Sequence, residues 1–146
     1  MTQAPDLSKE YPRSPTEILG GYVHLARMVD KARAKEAGTL GEYIYPCPLD
    51  RMLLDFLSVD PAAFSKALAA GRSDDEIVAW LAAHGTPRSP AEIDAWNRAF
   101  LDRRPDTEEK RRSFLEQRNQ VAPHRTDVTT WADLLDLDEG RSVPPR

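Results

Sequence analysis

The chain is poor in features that settle a chemistry by themselves. It holds one cysteine in 146 residues, so no internal disulfide can form and no thiolate cluster can bind zinc. Its three histidines, His24, His84 and His124, are far apart, and no two have the spacing of ligands on one helical face. Neither a metal nor another cofactor is expected. The glycines form no phosphate-cradling G-x-x-x-x-G-K-[ST] loop, no G-x-G-x-x-G and no G-x-S-x-G elbow, which leaves nucleotide-fold and serine-hydrolase chemistry unsupported. Long hydrophobic runs are missing too. The longest uncharged, mainly apolar stretch, Ile18–Ala26, falls short of the roughly 20 residues that span a bilayer, and the first residues carry no apolar signal core. Basic charge does not predominate: 20 Lys and Arg stand against 24 Asp and Glu, for a formal charge of −4. That balance removes the general electrostatic case for nucleic acid. The expectation is a cytoplasmic protein with no membrane and no nucleic-acid partner.

What is present is a helical grammar. With 40% apolar residues and a mean hydropathy of −0.57, the chain is long enough for one cored domain that needs no staple. Ser14-Pro15-Thr16-Glu17 has the form of a helix start: a serine cap, a proline at the first helical position, and a glutamate able to reach back. The device recurs as Ser89-Pro90-Ala91-Glu92 and as Ser73-Asp74-Asp75-Glu76, with further starts at Asp60-Pro61 and at Asp106 or Thr107. Gly38, Gly71 and Gly85 each follow an apolar-periodic run and read as left-handed helix stops. These signals predict helices near 15–36, 48–57, 61–70, 74–84, 90–103, 107–120 and 130–136. The fold expected is all-α, a compact single-domain bundle of about six or seven helices. An irregular tyrosine-rich loop, or a short strand, follows the first long helix. The domain occupies residues 13–122, after an extended N-terminal arm at 1–12. Residues 123–146 form an acidic-hydrophobic tail with one short helix and a disordered end. Pro-Arg-Ser-Pro-x-Glu-Ile stands at both 12–18 and 87–93, but the flanking residues diverge, and good capping alone explains it.

On a helical wheel that starts at Ile18, Tyr22, Leu25, Val29 and Ala32 form a core-facing stripe. The opposite arc holds Gly20, His24, Arg27 and Lys31 and reads as a solvated face. The pair Gly20-Gly21 tells against a plain solvent face, because each glycine inside a helix costs about 0.5–1 kcal/mol. Close approach of another helix, or of a ligand, would offset that. The next segment, Gly41-Glu-Tyr-Ile-Tyr-Pro-Cys-Pro-Leu-Asp-Arg, puts two phenols, a thiol and two acids around two prolines. Rigid polar loops of this kind are where sites are built. If a helix begins near Pro48, Cys47 stands at its amino end, and His24 or Asp50 could serve it as a base. The bland alternative is a buried cysteine.

Tyr11-Pro-Arg-Ser-Pro, Leu19-Gly-Gly-Tyr-Val-His-Leu, Asp30-Lys-Ala-Arg, Gly41-Glu-Tyr-x-Tyr, Cys47-Pro-Leu-Asp and Asp55-Phe-Leu follow one another in fixed order. Over about residues 6 to 100 the chain thereby resembles a bacterial family known only as domain of unknown function 5069. The resemblance implies no activity. It does imply that Arg13, Gly20, Gly21, Asp30, Lys31, Arg33, Glu42, Tyr43, Tyr45, Cys47 and Asp50 belong to one constellation.

Three functions are open at this point. The first is a non-catalytic binding module, with Arg13, Lys31, Arg33, Glu42, Tyr43, Tyr45 and Asp50 lining a polar pocket for an anionic small molecule or peptide. The second is an enzyme with Cys47 as thiol nucleophile, assisted by His24 or Asp50. The third is an assembly protein acting through the tail. There Trp131, Leu134 and Leu135 form a short apolar face, expected to dock on the chain's own basic helix or, in the alternative, on a second copy. Arg103 to Arg125 is locally basic, yet its interleaved acids make it a mixed-sign solvated helix.

Overall fold

A computed structural model describes residues 3–146. They form seven helices: α1 (Leu25–Ala37), α2 (Pro48–Leu57), α3 (Pro61–Ala69), α4 (Asp74–His84), α5 (Pro90–Leu101), α6 (Glu108–Val121) and α7 (Trp131–Asp138). No sheet occurs among the described residues, where an isolated Leu19–Tyr22 bridge is the one extended pairing, and none of their helices is long and apolar enough to cross a membrane. The chain divides into two compact units, the first running to Ile93 and the second comprising Asp94–Arg146.

Capping chemistry explains most helix starts. Asp60 accepts from the amides of Ala62 and Ala63, Thr107 from Lys110, and Thr130 from Asp133. Ser73 with Glu76, and Ser89 with Glu92, close reciprocal capping boxes.

The expected start at Ser14 does not lead into a helix. Glu17 N–H bonds back to Ser14 O and Thr16 N–H to Ser14 Oγ, and the chain then turns on Gly20-Gly21. Leu19 and Tyr22 exchange both backbone hydrogen bonds, at 3.0 and 2.9 Å, across glycines with φ of +58° and +86°. Positive φ at both central residues is the twist of a two-residue hairpin turn, for which Gly-Gly is favoured. A Cβ on Gly20 would also lie 2.9 Å from both Val78 methyls, so α4 is the close neighbour that needs a bare backbone there. Gly85 departs from expectation differently. Its φ is −94°, and it is glycine for space, since a Cβ would come within 2.7 Å of Leu57 O.

In the first unit α1 packs along α3, and α3 meets α4. Leu25, Met28, Val29, Ala32, Leu53, Leu54, Phe64 and Ile77 are fully buried. Ile18, expected in the core stripe, is exposed because it precedes the helix. The arc read as solvated is in fact inside: His24, Arg27 and Lys31 are 1–3% exposed, and Arg33 is 7% exposed. Buried cations require partners, and those partners make the site.

In the second unit α7 lies on α6, with the Phe114 and Trp131 rings edge to face at 5.1 Å. Phe114, Val128, Leu134 and Val143 form a small core. Residues 141–146, read from composition as disordered, are placed by side-chain contacts: Val143 is buried, and Arg146 forks onto Asp133 at 2.8 and 2.9 Å. The outer face of α6 carries i,i+3 and i,i+4 pairs such as Glu108–Arg111 and Glu108–Arg112, as a solvated mixed-sign helix should.

Candidate functional site

The tyrosine-rich connector brings Cys47 to the position just before α2. There it caps the helix: Asp50 N–H donates to Cys47 Sγ at 3.4 Å, while Cys47 N–H donates to Asp50 Oδ2 at 2.9 Å. This is the reciprocal box of serine and glutamate rewritten with a thiol and an aspartate. Pro48 follows at the first helical position, where a missing N–H costs nothing.

From α1, Lys31 Nζ reaches the same two side chains, 2.8 Å from Asp50 Oδ2 and 3.1 Å from Cys47 Sγ. His24 closes the arrangement, its Nε2 lying 2.7 Å from Asp50 Oδ1. His24 is the cap residue of α1 with φ +68°, a conformation that strains a side-chain-bearing residue. The tight Gly-Gly turn leads directly into it and places the ring inside.

Charge follows from this geometry. Burial holds His24 below its ordinary value of 6.5 and outweighs the pull of Asp50, so the ring is neutral and its Nε2–H donates. Burial alone would raise Asp50, but the His24 hydrogen bond and the Lys31 charge outweigh it and hold the carboxyl well below the usual carboxylate range. The buried centre is therefore an ammonium–carboxylate pair steadied by a neutral imidazole, with Cys47, half-buried, at its outer edge.

A second cluster occupies another side of α1. Arg13 forks onto Asp30 through Nε and Nη2, both at 3.1 Å, and onto Asp74 at 2.8 and 3.2 Å. Arg33 pairs with Asp74 at 3.0 Å and donates to Arg72 O. Burial would lower Arg13, but the bonds to Asp74 and Asp30 prevail and raise it. Arg13 and Arg33 line a surface depression of about 520 Å³ with Asp30, Ser73, Asp74 and Asp75. Two guanidiniums face three carboxylates there, so the depression carries no excess of positive charge.

The predicted site residues thus separate. His24, Lys31, Cys47 and Asp50 meet; Arg13 and Arg33 meet acids elsewhere. Tyr43 lies under the Arg27 guanidinium, 5.6 Å from ring centroid to carbon. Tyr45 is buried and gives its hydroxyl proton to Pro61 O at 2.8 Å, anchoring the connector to α3. Burial and the charge of Asp50 push that phenol up, so it stays protonated. Glu42 is exposed. Asp74 was not foreseen as a partner of Arg13, and Arg27 was not foreseen as buried. The Asp74 pairing bridges 61 residues and has no local signal.

A separate apolar cleft of about 260 Å³ lies between the Gly20–Tyr22 turn and α4, walled by Leu25, Leu57, Val78, Leu81 and Ile93. Arg88 is the charged group of its lining, and its guanidinium rests 4.3 Å above the Phe56 ring.

A family model described as Domain of unknown function (DUF5069) matches residues 9–141. No curated protein matches the chain.

Proposed function

The chain belongs to the DUF5069 family, whose description assigns no activity, and from its geometry we propose that it is a thiol-dependent enzyme with Cys47 as nucleophile. The contact that carries this reading is Lys31 Nζ to Cys47 Sγ, 3.1 Å. A sulfur nucleophile needs a partly exposed position and a cation or helix amino end beside it. Cys47 has all three: half-burial, the ammonium, and the start of α2. Asp50 holds Lys31 in place and also donates its own N–H to the sulfur, while His24 holds Asp50, so both are positioning residues for the Lys31–Cys47 contact. The substrate class is a soft electrophile.

The rate of Cys47 alkylation by iodoacetamide at neutral pH tests this. It should exceed that of free cysteine by roughly tenfold and fall in Lys31→Met. A rate no faster than free cysteine, or one indifferent to Lys31, removes the proposal.

A second reading, the binding module for a small anionic molecule, draws support from the Arg88 cleft. Its lining is mainly apolar and holds one guanidinium, Arg88, which donates to Phe56 O and pairs with Glu92 at 3.4 Å, so an amphipathic carboxylate would displace Glu92 there. Arg13, Lys31 and Arg33 are held by carboxylates at 3.1 Å or less, closer than Glu92 holds Arg88. Thermal stabilisation by short-chain carboxylates that disappears in Arg88→Ala would favour this second reading.

A further inference from the structure

We infer that His24, Cys47 and Asp50 form a three-donor site for a thiophilic divalent cation of the zinc class, held closed by the Lys31 ammonium. The donor atoms come from three different residue types, and a ring nitrogen of His24, a carboxylate oxygen of Asp50 and Cys47 Sγ all lie within 4.8 Å of one another. Bonds of about 2.0–2.3 Å in a tetrahedron place donors roughly 3.3–3.8 Å apart. From these positions the cluster rearranges rather than simply closes: Nε2 and Oδ1, 2.7 Å apart across a hydrogen bond, move apart as the ion takes the place of the proton between them. One nitrogen, one sulfur and one oxygen suit zinc or cadmium and do not suit magnesium or calcium, which require shells of oxygens.

The same place already selects for positive charge. Lys31 Nζ sits against two of the three donors, at 2.8 Å from the carboxylate and 3.1 Å from the sulfur. An ammonium and a metal ion are alternatives there. When the cation enters, its bonds to Asp50 and Cys47 replace the hydrogen bonds from Lys31, the His24 ring proton passes from Nε2 to Nδ1 so that Nε2 can bind, and the thiol proton and one proton of the displaced Lys31 ammonium leave to solvent. His24 and Asp50 are 1% and 0% exposed, whereas Cys47 is half-buried. Cys47 is the donor residue that is not fully buried, so entry would be from its side, and a water would complete the fourth position as in open zinc sites. A bound ion would also occupy the sulfur lone pair and block alkylation. The inference shares this thiol with the proposed enzyme but does not rest on its nucleophilicity, since occupancy is read without any electrophile.

Cadmium titration of the full chain, followed by the ultraviolet sulfur-to-cadmium charge-transfer band, tests it. One ion per chain should bind the wild type, and Lys31→Met should bind at least roughly tenfold more tightly. His24→Gln and Asp50→Asn should each weaken binding by roughly tenfold or more while keeping the band, and Cys47→Ser should abolish it. Absence of the band in both wild type and Lys31→Met overturns the site. Affinity unchanged in a folded His24→Gln overturns it as well, because a lone thiol would then carry the binding. Should the His24 and Asp50 variants fail to fold, equal affinities of wild type and Lys31→Met overturn it by themselves. Slow alkylation alongside tight cadmium binding would remove the enzyme reading and leave this one standing.

Discussion

Lys31 Nζ and Asp50 Oδ2 stand 2.8 Å apart with side chains 4% and 0% exposed, an ion pair closed off from water. Each charge is buried for the sake of the other. A pair of this kind adds little beyond what well-packed apolar residues would, but breaking it is expensive, because the survivor remains buried and uncompensated.

The first prediction is for Asp50→Ala. It strands Lys31, removes the acceptor of His24 and opens the cap of α2, so we expect a loss of about 3–5 kcal/mol. Urea denaturation checks this. A loss under about 1 kcal/mol would mean that water reaches the site in a way the burial of these groups excludes.

The second concerns pH. Burial keeps His24 neutral in the folded chain, with Asp50, Lys31 and Arg27 facing it. In the unfolded chain it takes up a proton near 6.5. The unfolded state then binds more protons below that pH, so stability is complete above about 6.5 and declines as pH falls. Asp50, whose folded value is depressed, adds its own loss below about 4. Denaturation midpoints, with chelator present, should stay level from pH 8 to about 6.5 and fall from there to pH 5, and His24→Gln should flatten that fall. An equal slope in the variant would refute the assignment.

The third compares glycines. Gly20→Ala places a Cβ 2.9 Å from both Val78 methyls at a φ of +58°, whereas Gly21→Ala meets nothing closer than 3.9 Å at a φ of +86°. Both pay for the left-handed backbone, at about 1 kcal/mol, and Gly20→Ala adds a clash. Gly20→Ala in a Val78→Ala background should recover part of the difference. Thermal melts of the wild type, the three single variants and the double variant decide it, and no recovery would exclude the contact with α4.

The fourth addresses the end of the chain. Val143 is 7% exposed in the small core with Phe114, Val128 and Leu134, so Val143→Ala should cost on the order of 2 kcal/mol. Truncation after Gly140 should also remove the fork of Arg146 on Asp133 and expose Trp131 to quenchers. Unchanged tryptophan fluorescence in the truncated chain would show that these residues do not cover α7.

Local chemistry accounts for most of the helices. Asp60, Ser73, Ser89 and Thr107 satisfy the free amides of the helices that follow them wherever those helices pack, so their starts were legible. The Cys47–Asp50 cap was half visible: the proline and the position were, the thiol as acceptor was not. Pairings across long intervals left no trace in composition. Arg13 with Asp74, and Lys31 with Asp50, join residues whose spacing obeys no helical or strand period.

The phrase Pro-Arg-Ser-Pro-x-Glu-Ile marks the limit. At 87–93 it opens α5 with a closed capping box; at 12–18 the same residues form only a turn, because Gly20-Gly21 ends any helix before it can pay back its nucleation cost. Sequence alone determined that the chain is helical, where most helices begin, and that the thiol stands at the start of one of them. Only the tertiary structure decided that the charged arc of α1 lies inside, because a buried charge is tolerable only where a distant partner arrives to meet it, and no rule of local spacing encodes that arrival.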